Sequence, residues 1–190
     1  MITVNKTSIA GVLEIIPDRF PDPRGYFSET YSDRRLAEHG VHEIFVQDNH
    51  SHSRGRGVLR GLHFQREPYG QAKLIWVASG SIFDVAVDIR KGSPTYGKWV
   101  GLEISADKGN QVFVPKGFAH GFVTLEPNTD VYYKVSGQYA REEERAVRYD
   151  DPEIGIDWPM DLEALVVSDK DRDASLLVDV DNNYEYTGGK

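Results

Sequence analysis

The chain has 190 residues, a net charge of -8 from 22 basic and 30 acidic side chains, and no cysteine. That length suits one domain with a sizeable core. The acidic balance argues against broad nucleic-acid binding, leaving room only for a local basic patch that holds a small anion. The missing thiols exclude disulfides, thiol catalysis and Cys-ligated zinc.

Aromatic residues at 11%, many Val and Ile, and 18 scattered Gly with 9 Pro favour short strands joined by turns. Residues 1–9 lack the apolar core of a signal peptide, and no stretch approaches the length of a membrane helix. Cytoplasm is therefore the default expectation, with no membrane partner.

In chain order, residues 1–16 carry two apolar clusters ending in Val12–Ile16, read as a strand. Pro17–Gly25 (PDRFPDPRG) reads as a Pro-rich turn, and Tyr26–Tyr31 as a short strand. Ser32–His39 is the clearest helix: Ser32 can cap it, Asp33 sits in its first turn and Gly40 can end it. Ile44-Phe45-Val46 is expected to open the main sheet, and the polar, basic stretch Asn49–Gly57 to be a loop.

From Val58 onward short alternating runs recur at Lys73–Val77, Ser81–Ile89, Trp99–Ser105, Gln111–Val114, Gly121–Thr124 and Val131–Val135. Their spacing reads as a closed barrel or a sandwich. Asp150–Pro159 suits an irregular crossing segment, and Leu162–Val167 and Leu176–Val178 are the last apolar runs. Residues 184–190 are expected to fray. No linker or repeat interrupts residues 1–190, which read as a single domain.

One local pattern carries chemistry. Gly109–His120 (GNQVFVPKGFAH) is a strand, a Pro-Gly turn and a histidine opening the next strand. It resembles the second motif of cupin-type barrels. The first such motif supplies two histidines one residue apart, but here Gly57–Gln65 (GVLRGLHFQ) places His63 two residues before Gln65. Two imidazoles, His63 and His120, are too few for a good metal site without carboxylates.

Neutral imidazoles titrate near working pH and suit proton transfer. The alternative is that they only hydrogen-bond within a polar core. In IFDVAVDIR, alternation puts Asp84, Ala86 and Asp88 on one face. That face either points Asp84 into a cavity or is solvated. His50 and His52 have metal-ligand spacing, yet no carboxylate lies close in sequence. Tyr132, Tyr133 and Tyr139 read as packing or interface, and Glu142–Arg145 as a solvated face.

Taken together, RGYFSE (24–29), QDN (47–49), VLRGLHFQ (58–65), FDVAVDIR (83–90), GSPTYG (92–97), VPKGFAHGF (114–122), YK (133–134), residues 151–159 and SDKD (168–171) resemble the dTDP-4-dehydrorhamnose 3,5-epimerase family. The resemblance implies a mainly β cupin-type double-stranded β-helix (jelly-roll) barrel with a few short helices. It also implies a dTDP-sugar substrate, no metal or organic cofactor, and a homodimer to which the N-terminal strand region contributes.

By that resemblance His63 is the base, Asp171 its orienting carboxylate, Tyr133 the acid on the opposite face and Lys73 the cation facing O4. Arg60 and His120 are further pocket groups. Arg24, Phe27 and Glu29 reach the nucleotide sugar from the N-terminal region, in part across the dimer. Gln47, Asn49, Tyr139, Glu144 and Lys170 match substrate-binding positions, and Asp171 replaces Asp84 as the partner of the base.

The stretch after Tyr133-Lys134 (VSGQYAREEER) departs from the family, which more often has two tyrosines where this chain has Gln138-Tyr139. The expected reaction inverts C3 and C5 of dTDP-4-dehydro-6-deoxy-D-glucose. The alternatives are a single-site epimerase at C3 or C5, a 3,4-ketoisomerase, a metal-dependent cupin, which Gln65 disfavours, and a sugar-binding barrel without catalysis.

Overall fold

A computed structural model describes residues 2–188. Thirteen strands are arranged in two large antiparallel sheets and one ribbon. The larger sheet is built from β1 (Ile2–Lys6), β2 (Leu13–Pro17), β10 (Gln111–Val114), β7 (Lys73–Ser79), β12 (Thr129–Val135) and β5 (Gln47–Ser53), in that spatial order. The smaller one runs β13 (Glu144–Ala146), β6 (Leu59–Gln65), β11 (Phe118–Thr124), β8 (Ser81–Asp88) and β9 (Trp99–Ser105). The ribbon pairs β3 (Phe20–Asp22) with β4 (Gly25–Phe27).

The expected closed barrel is not formed. Each large sheet ends in two edge strands, β1 and β5 in one, β13 and β9 in the other, and no strand closes either sheet on itself. Alternation and turn spacing report strands; they do not report whether the first and last strands pair.

The two sheets stack face to face. Ile75, Val77, Val112, Val114 and Val131 of the larger sheet pack against Ile82, Ala86, Ile104, Phe118 and Phe122 of the smaller. Both outer faces are also covered. Leu62, Phe64, Val85, Val87, Ile89 and Val123 lie under Ile154, Trp158, Leu177 and Tyr184 from the irregular C-terminal third. The other outer face, through Ile15, Leu74 and Phe113, lies under Leu36 of helix α1 (Asp33–Ala37) and Val41. Strands buried on both faces explain why β8 and β11 read as nearly continuous apolar runs.

Helix α1 forms as its sequence prescribes. The Ser32 side chain accepts from the Arg35 amide, and the chain leaves the helix through Gly40 at φ +85° while the Val41 amide donates to the Leu36 carbonyl.

Other segments differ from expectation. Residues 17–25 contain a strand, because Phe20–Asp22 pairs with Gly25–Phe27 around a two-residue turn. Residues 44–46 are irregular, the larger sheet already holds β1 and β2, and its next strand in the chain begins at Gln47. Residues 47–53 are a strand rather than a loop. β5 is an edge strand whose alternate side chains face solvent and a polar groove, so neither face needs an apolar residue.

The tail is anchored as far as Tyr186. Tyr184 is buried, its hydroxyl donates to the Gln65 carbonyl at 2.7 Å, and Glu185 bridges Lys91. Residues 189–190 of the expected frayed end lie outside the described residues. Among the described residues no helix is long and apolar enough to cross a membrane.

Candidate active site

A groove between the sheets holds most of the titratable residues singled out from the sequence. One lobe, of about 720 Å³, is lined by His50, His52, Arg60, His120, Lys170 and Asp171, among others. A second lobe, of about 370 Å³, is lined by Gln47, Asn49, Gln65, Gln71, Tyr139 and Glu144. His63, Lys73 and Tyr133 line both lobes and so mark the junction. His63 comes from the smaller sheet and Tyr133 from the larger, so both sheets contribute to the junction.

A bulge sets the aim of β6. His120 pairs with His63, but Phe122 pairs with Arg60, so one residue of β11 faces two of β6. Without that extra residue Arg60 and His63, three positions apart, would point to opposite faces. With it, Leu59 and Leu62 both enter the outer core while Arg60 and His63 both line the groove. The bulge needs glycine on both strands. Gly61 has φ +131°, and a Cβ there would stand 2.5 Å from the Gly121 Cα.

The His63 Nε2 lies 2.6 Å from the Asp171 Oδ1. Asp171 sits on α2 (Asp169–Arg172), a short helix capped by the Ser168 hydroxyl, and its other oxygen accepts from the Gly61 amide at 3.4 Å. A carboxylate can only accept, so the shared proton resides on Nε2 and the lone pair on Nδ1. Burial works to raise the Asp171 pKa, but the hydrogen bond and charge of His63, with help from Gly61 and Ser168, hold it below the usual carboxylate value.

The Lys73 ammonium faces the same groove and donates to the His63 carbonyl at 3.4 Å. Burial pushes its pKa down to about 8, against the opposing charges of Asp84 and Glu144. Tyr133 is pushed up by burial and so stands protonated at neutral pH.

His120 is buried, with Nε2 2.8 Å from the Asp84 Oδ2. Asp84 is 2% exposed, which overturns the reading of its face as solvated. Asp88, on the same face, is fully buried and takes Arg90, Ser93 and Thr95.

At the rim, the Glu144 Oε2 accepts from the Tyr139 hydroxyl at 2.9 Å and pairs with the Lys170 Nζ at 2.7 Å. Burial raises the Glu144 pKa, but these two bonds outweigh it and bring the carboxyl below its usual value. The run 142–145 is therefore more than a solvated face. Gln47 donates to Asn49 at 2.7 Å on the groove side of β5. Arg60 reaches Ser53 and the His52 carbonyl.

Gln65, where a cupin would have its second histidine, spends its amide on structure. Its Nε2 donates to the Tyr69 and Gln138 carbonyls and its Oε1 accepts from the Ala140 amide, which fixes the loop bearing Tyr139. His50 and His52 both converge on one Asp130 oxygen, at 2.8 and 2.9 Å, a carboxylate 78 residues away from His52 in sequence. Among the described residues no group of three His, Asp or Glu side chains is arranged to hold a metal ion.

Three predicted residues lie elsewhere. Arg24 is paired to Asp22 and Phe27 is 69% exposed, both on the ribbon, and Glu29 pairs with Arg35. None of the three lines the groove. Groove residues that the sequence reading passed over include Gln71, Phe122, Val167 and Ser168. The last two directly precede the Asp171 helix, and that adjacency was the available signal.

A family model described as dTDP-4-dehydrorhamnose 3,5-epimerase matches residues 6–179. A protein of that name from Sinorhizobium fredii is 47% identical over 179 residues, 94% of this chain and 91% of the relative. One from Methanothermobacter thermautotrophicus is 49% identical over 168 residues, covering 88% and 90%. The fold is similar to that of a dTDP-6-deoxy-D-glucose-3,5-epimerase from Legionella pneumophila in complex with dTDP-4-keto-L-rhamnose, with TM-score 0.90, 44% identity and 95% of each chain covered. It is also similar to a 3'-monoepimerase from Streptomyces bikiniensis in complex with dTDP-quinovose, with TM-score 0.84, 33% identity and 90% and 86% covered.

Proposed function

The chain belongs to the dTDP-4-dehydrorhamnose 3,5-epimerase family, and from that premise we propose that it works with His63 as base and Tyr133 as the facing acid. The enzyme is an isomerase of dTDP-sugar metabolism. It inverts C3 and C5 of a dTDP-4-keto-6-deoxyhexose on the way to dTDP-L-rhamnose. The observation that carries the assignment of roles is the His63–Asp171 pair, with His63, Lys73 and Tyr133 together at the junction of the two lobes.

Both C3 and C5 are adjacent to the C4 carbonyl. His63 Nδ1 takes the proton from one of them, and the bonding electrons move into an enolate with its charge on O4. Lys73 meets that charge where it develops, an effect worth roughly 3 kcal/mol for a single donor. Tyr133 then returns a proton to the carbon from the opposite face, and the configuration inverts. Asp171 holds the imidazole in the tautomer that leaves Nδ1 free and stabilises the imidazolium that forms. Solvent protons reset His63 and Tyr133 before the second carbon reacts.

Arg60 and Lys170 supply positive charge for the diphosphate. Gln47, Asn49, Tyr139 and Glu144 line the lobe that receives other parts of the substrate, and His120 completes the pocket around the sugar.

Arg24, Phe27 and Glu29 act in a homodimer, in which the ribbon of one copy reaches the groove of the other. The support is the exposure of Phe20, Tyr26 and Phe27, at 51, 58 and 69%, on a ribbon that does not line its own groove. Mixing inactive Arg24→Ala and His63→Ala chains then restores part of the activity, because each mixed dimer holds one intact groove. A monomer in sedimentation, or no recovery on mixing, refutes it.

The deciding experiment follows deuterium at C3 and C5 of dTDP-4-keto-6-deoxy-D-glucose in D2O by proton NMR. Label at both carbons with inversion is expected. Label at one carbon alone makes the protein a monoepimerase, and label at neither removes the assignment.

A further inference from the structure

His120 lines the groove, and behind it stands a buried carboxylate, Asp84, to which the reaction just described gives no task. Asp84 lies on β8 with Ile82 and Ala86, whose side chains join the apolar layer between the sheets, and does not itself line the groove. It meets His120 on the neighbouring strand, where Phe122 pairs with Asp84 and His120 with Ala86. His120 pairs in turn with His63. We propose that Asp84 is a positioning residue for this epimerase: it fixes His120 as a hydrogen-bond acceptor and holds Lys73 as an ammonium, so that the charge on O4 falls to Lys73.

The Asp84 carboxylate accepts at 2.8 Å from the His120 Nε2, so the proton of a neutral ring sits there. Burial, helped by the nearby Lys73 and His63 charges and opposed by Asp84, keeps His120 below its ordinary value, so the ring is neutral at pH 7. Its Nδ1 then carries a lone pair. It can accept from a sugar hydroxyl or from Lys73, but it has nothing to donate to O4.

Lys73 shares the groove lining with His120 from β11, His63 from β6, Tyr133 from β12 and Glu144 from β13, and the charge of Asp84 on β8 reaches it from behind that lining. Among these the charges of Asp84 and Glu144 favour its protonated form. Glu144 is already engaged by Lys170 and Tyr139. Asp84 is therefore the carboxylate left to oppose the burial that drives Lys73 toward the neutral amine.

The inference rests on the epimerase reading for its consequence, but not for its test. Two measurements read it directly. In the wild-type protein, 15N NMR of His120 should find the neutral Nε2–H tautomer, and the Lys73 side-chain resonances should titrate near pH 8. In Asp84→Asn the Lys73 midpoint should fall by at least about one pH unit, and the basic limb of the kcat profile should move down with it, while KM stays within about threefold. Wild-type His120 carrying its proton on Nδ1 overturns the proposal. So does a Lys73 midpoint unmoved by Asp84→Asn, with activity scaled down equally at every pH.

If Asp84→Asn does not fold, the wild-type tautomer and titration decide. If the wild-type protein exchanges no substrate proton while Lys73 still shifts in Asp84→Asn, the coupling stands and the epimerase reading falls.

Discussion

Replacing Asp171 by Asn tests the base most directly. The substitution keeps size and shape, and it leaves an oxygen that can still accept from the Gly61 amide. It removes the charge 2.6 Å from His63. A hydrogen bond to a charged group contributes about 1.5–3 kcal/mol, and the imidazolium formed on proton abstraction would lose that support. At about 1.4 kcal/mol per decade the bond alone is worth roughly 10- to 150-fold in rate.

The amide adds a second penalty. Its NH₂ can donate to Nε2, which drives the ring proton to Nδ1 and blocks the nitrogen that must accept. A kcat loss of at least about 100-fold is therefore expected, with dTDP affinity nearly unchanged because the lost contact is to His63 rather than to nucleotide. Initial rates of deuterium uptake at C3 and C5 give the first quantity and calorimetric titration with dTDP the second. A loss below about threefold, or a rate loss matched by lost dTDP affinity, would refute the reasoning.

Tyr133→Phe should preserve proton loss to His63 but suppress inversion, so that label washes in with retained configuration; equal loss of exchange and inversion would make Tyr133 a positioning group only. For Lys73 the sign is fixed by its charge: the ammonium proposed to meet O4 is present below about pH 8 and is lost above it, so kcat should decline along that limb. Lys73→Met should remove the limb along with roughly 100-fold or more of kcat, and a basic limb that survives in Lys73→Met belongs to another group. Gly61→Ala should destabilise the fold by on the order of 3 kcal/mol, because its Cβ meets the Gly121 backbone at 2.5 Å; an unchanged thermal midpoint would show that the bulge can relax.

Local chemistry made some features legible from sequence. The Ser32 cap and the Gly40 exit define α1 by themselves, and the alternating runs after Val58 marked β7 through β12. Strand β5 was missed because a strand with solvent on one face and a polar groove on the other shows no hydrophobic period. The barrel was an over-reading for a different reason: closure is a property of pairings between chain-distant edges, which no local window contains.

The site follows the same division. His63, His120 and Lys73 announce themselves by residue type, but Asp171 stands 108 residues from His63 and became visible only through family resemblance. Alternation put Asp84, Ala86 and Asp88 on one face but left open whether that face is solvated, and it could not say which histidine Asp84 would meet. The bulge at Gly61 was unreadable as well, since two glycines on different strands have to meet before either has a purpose.

The separation of His63 from Asp171 has a consequence for how the site is completed. The apolar layer between the sheets is drawn from residues 9–131, and Lys73, Asp84, His120 and Tyr133 lie on its strands. The carboxylate that meets His63 comes instead from the C-terminal third, which covers the outer face of the smaller sheet. That covering buries Ile154, Trp158, Leu177 and Tyr184 and sets Val166 beside Val58. Helix α2 is four residues long, too short to persist alone. Asp171 is therefore held in register by apolar burial on either side of it rather than by its own helix. The same covering layer keeps water from the outer face of β6, where Leu62 and Phe64 alternate with His63, the proposed base. Hydrophobic packing on one face of a strand thus fixes the proton chemistry on the other, and a cavity opened at Trp158 should loosen the His63–Asp171 bond before it unfolds the sheets.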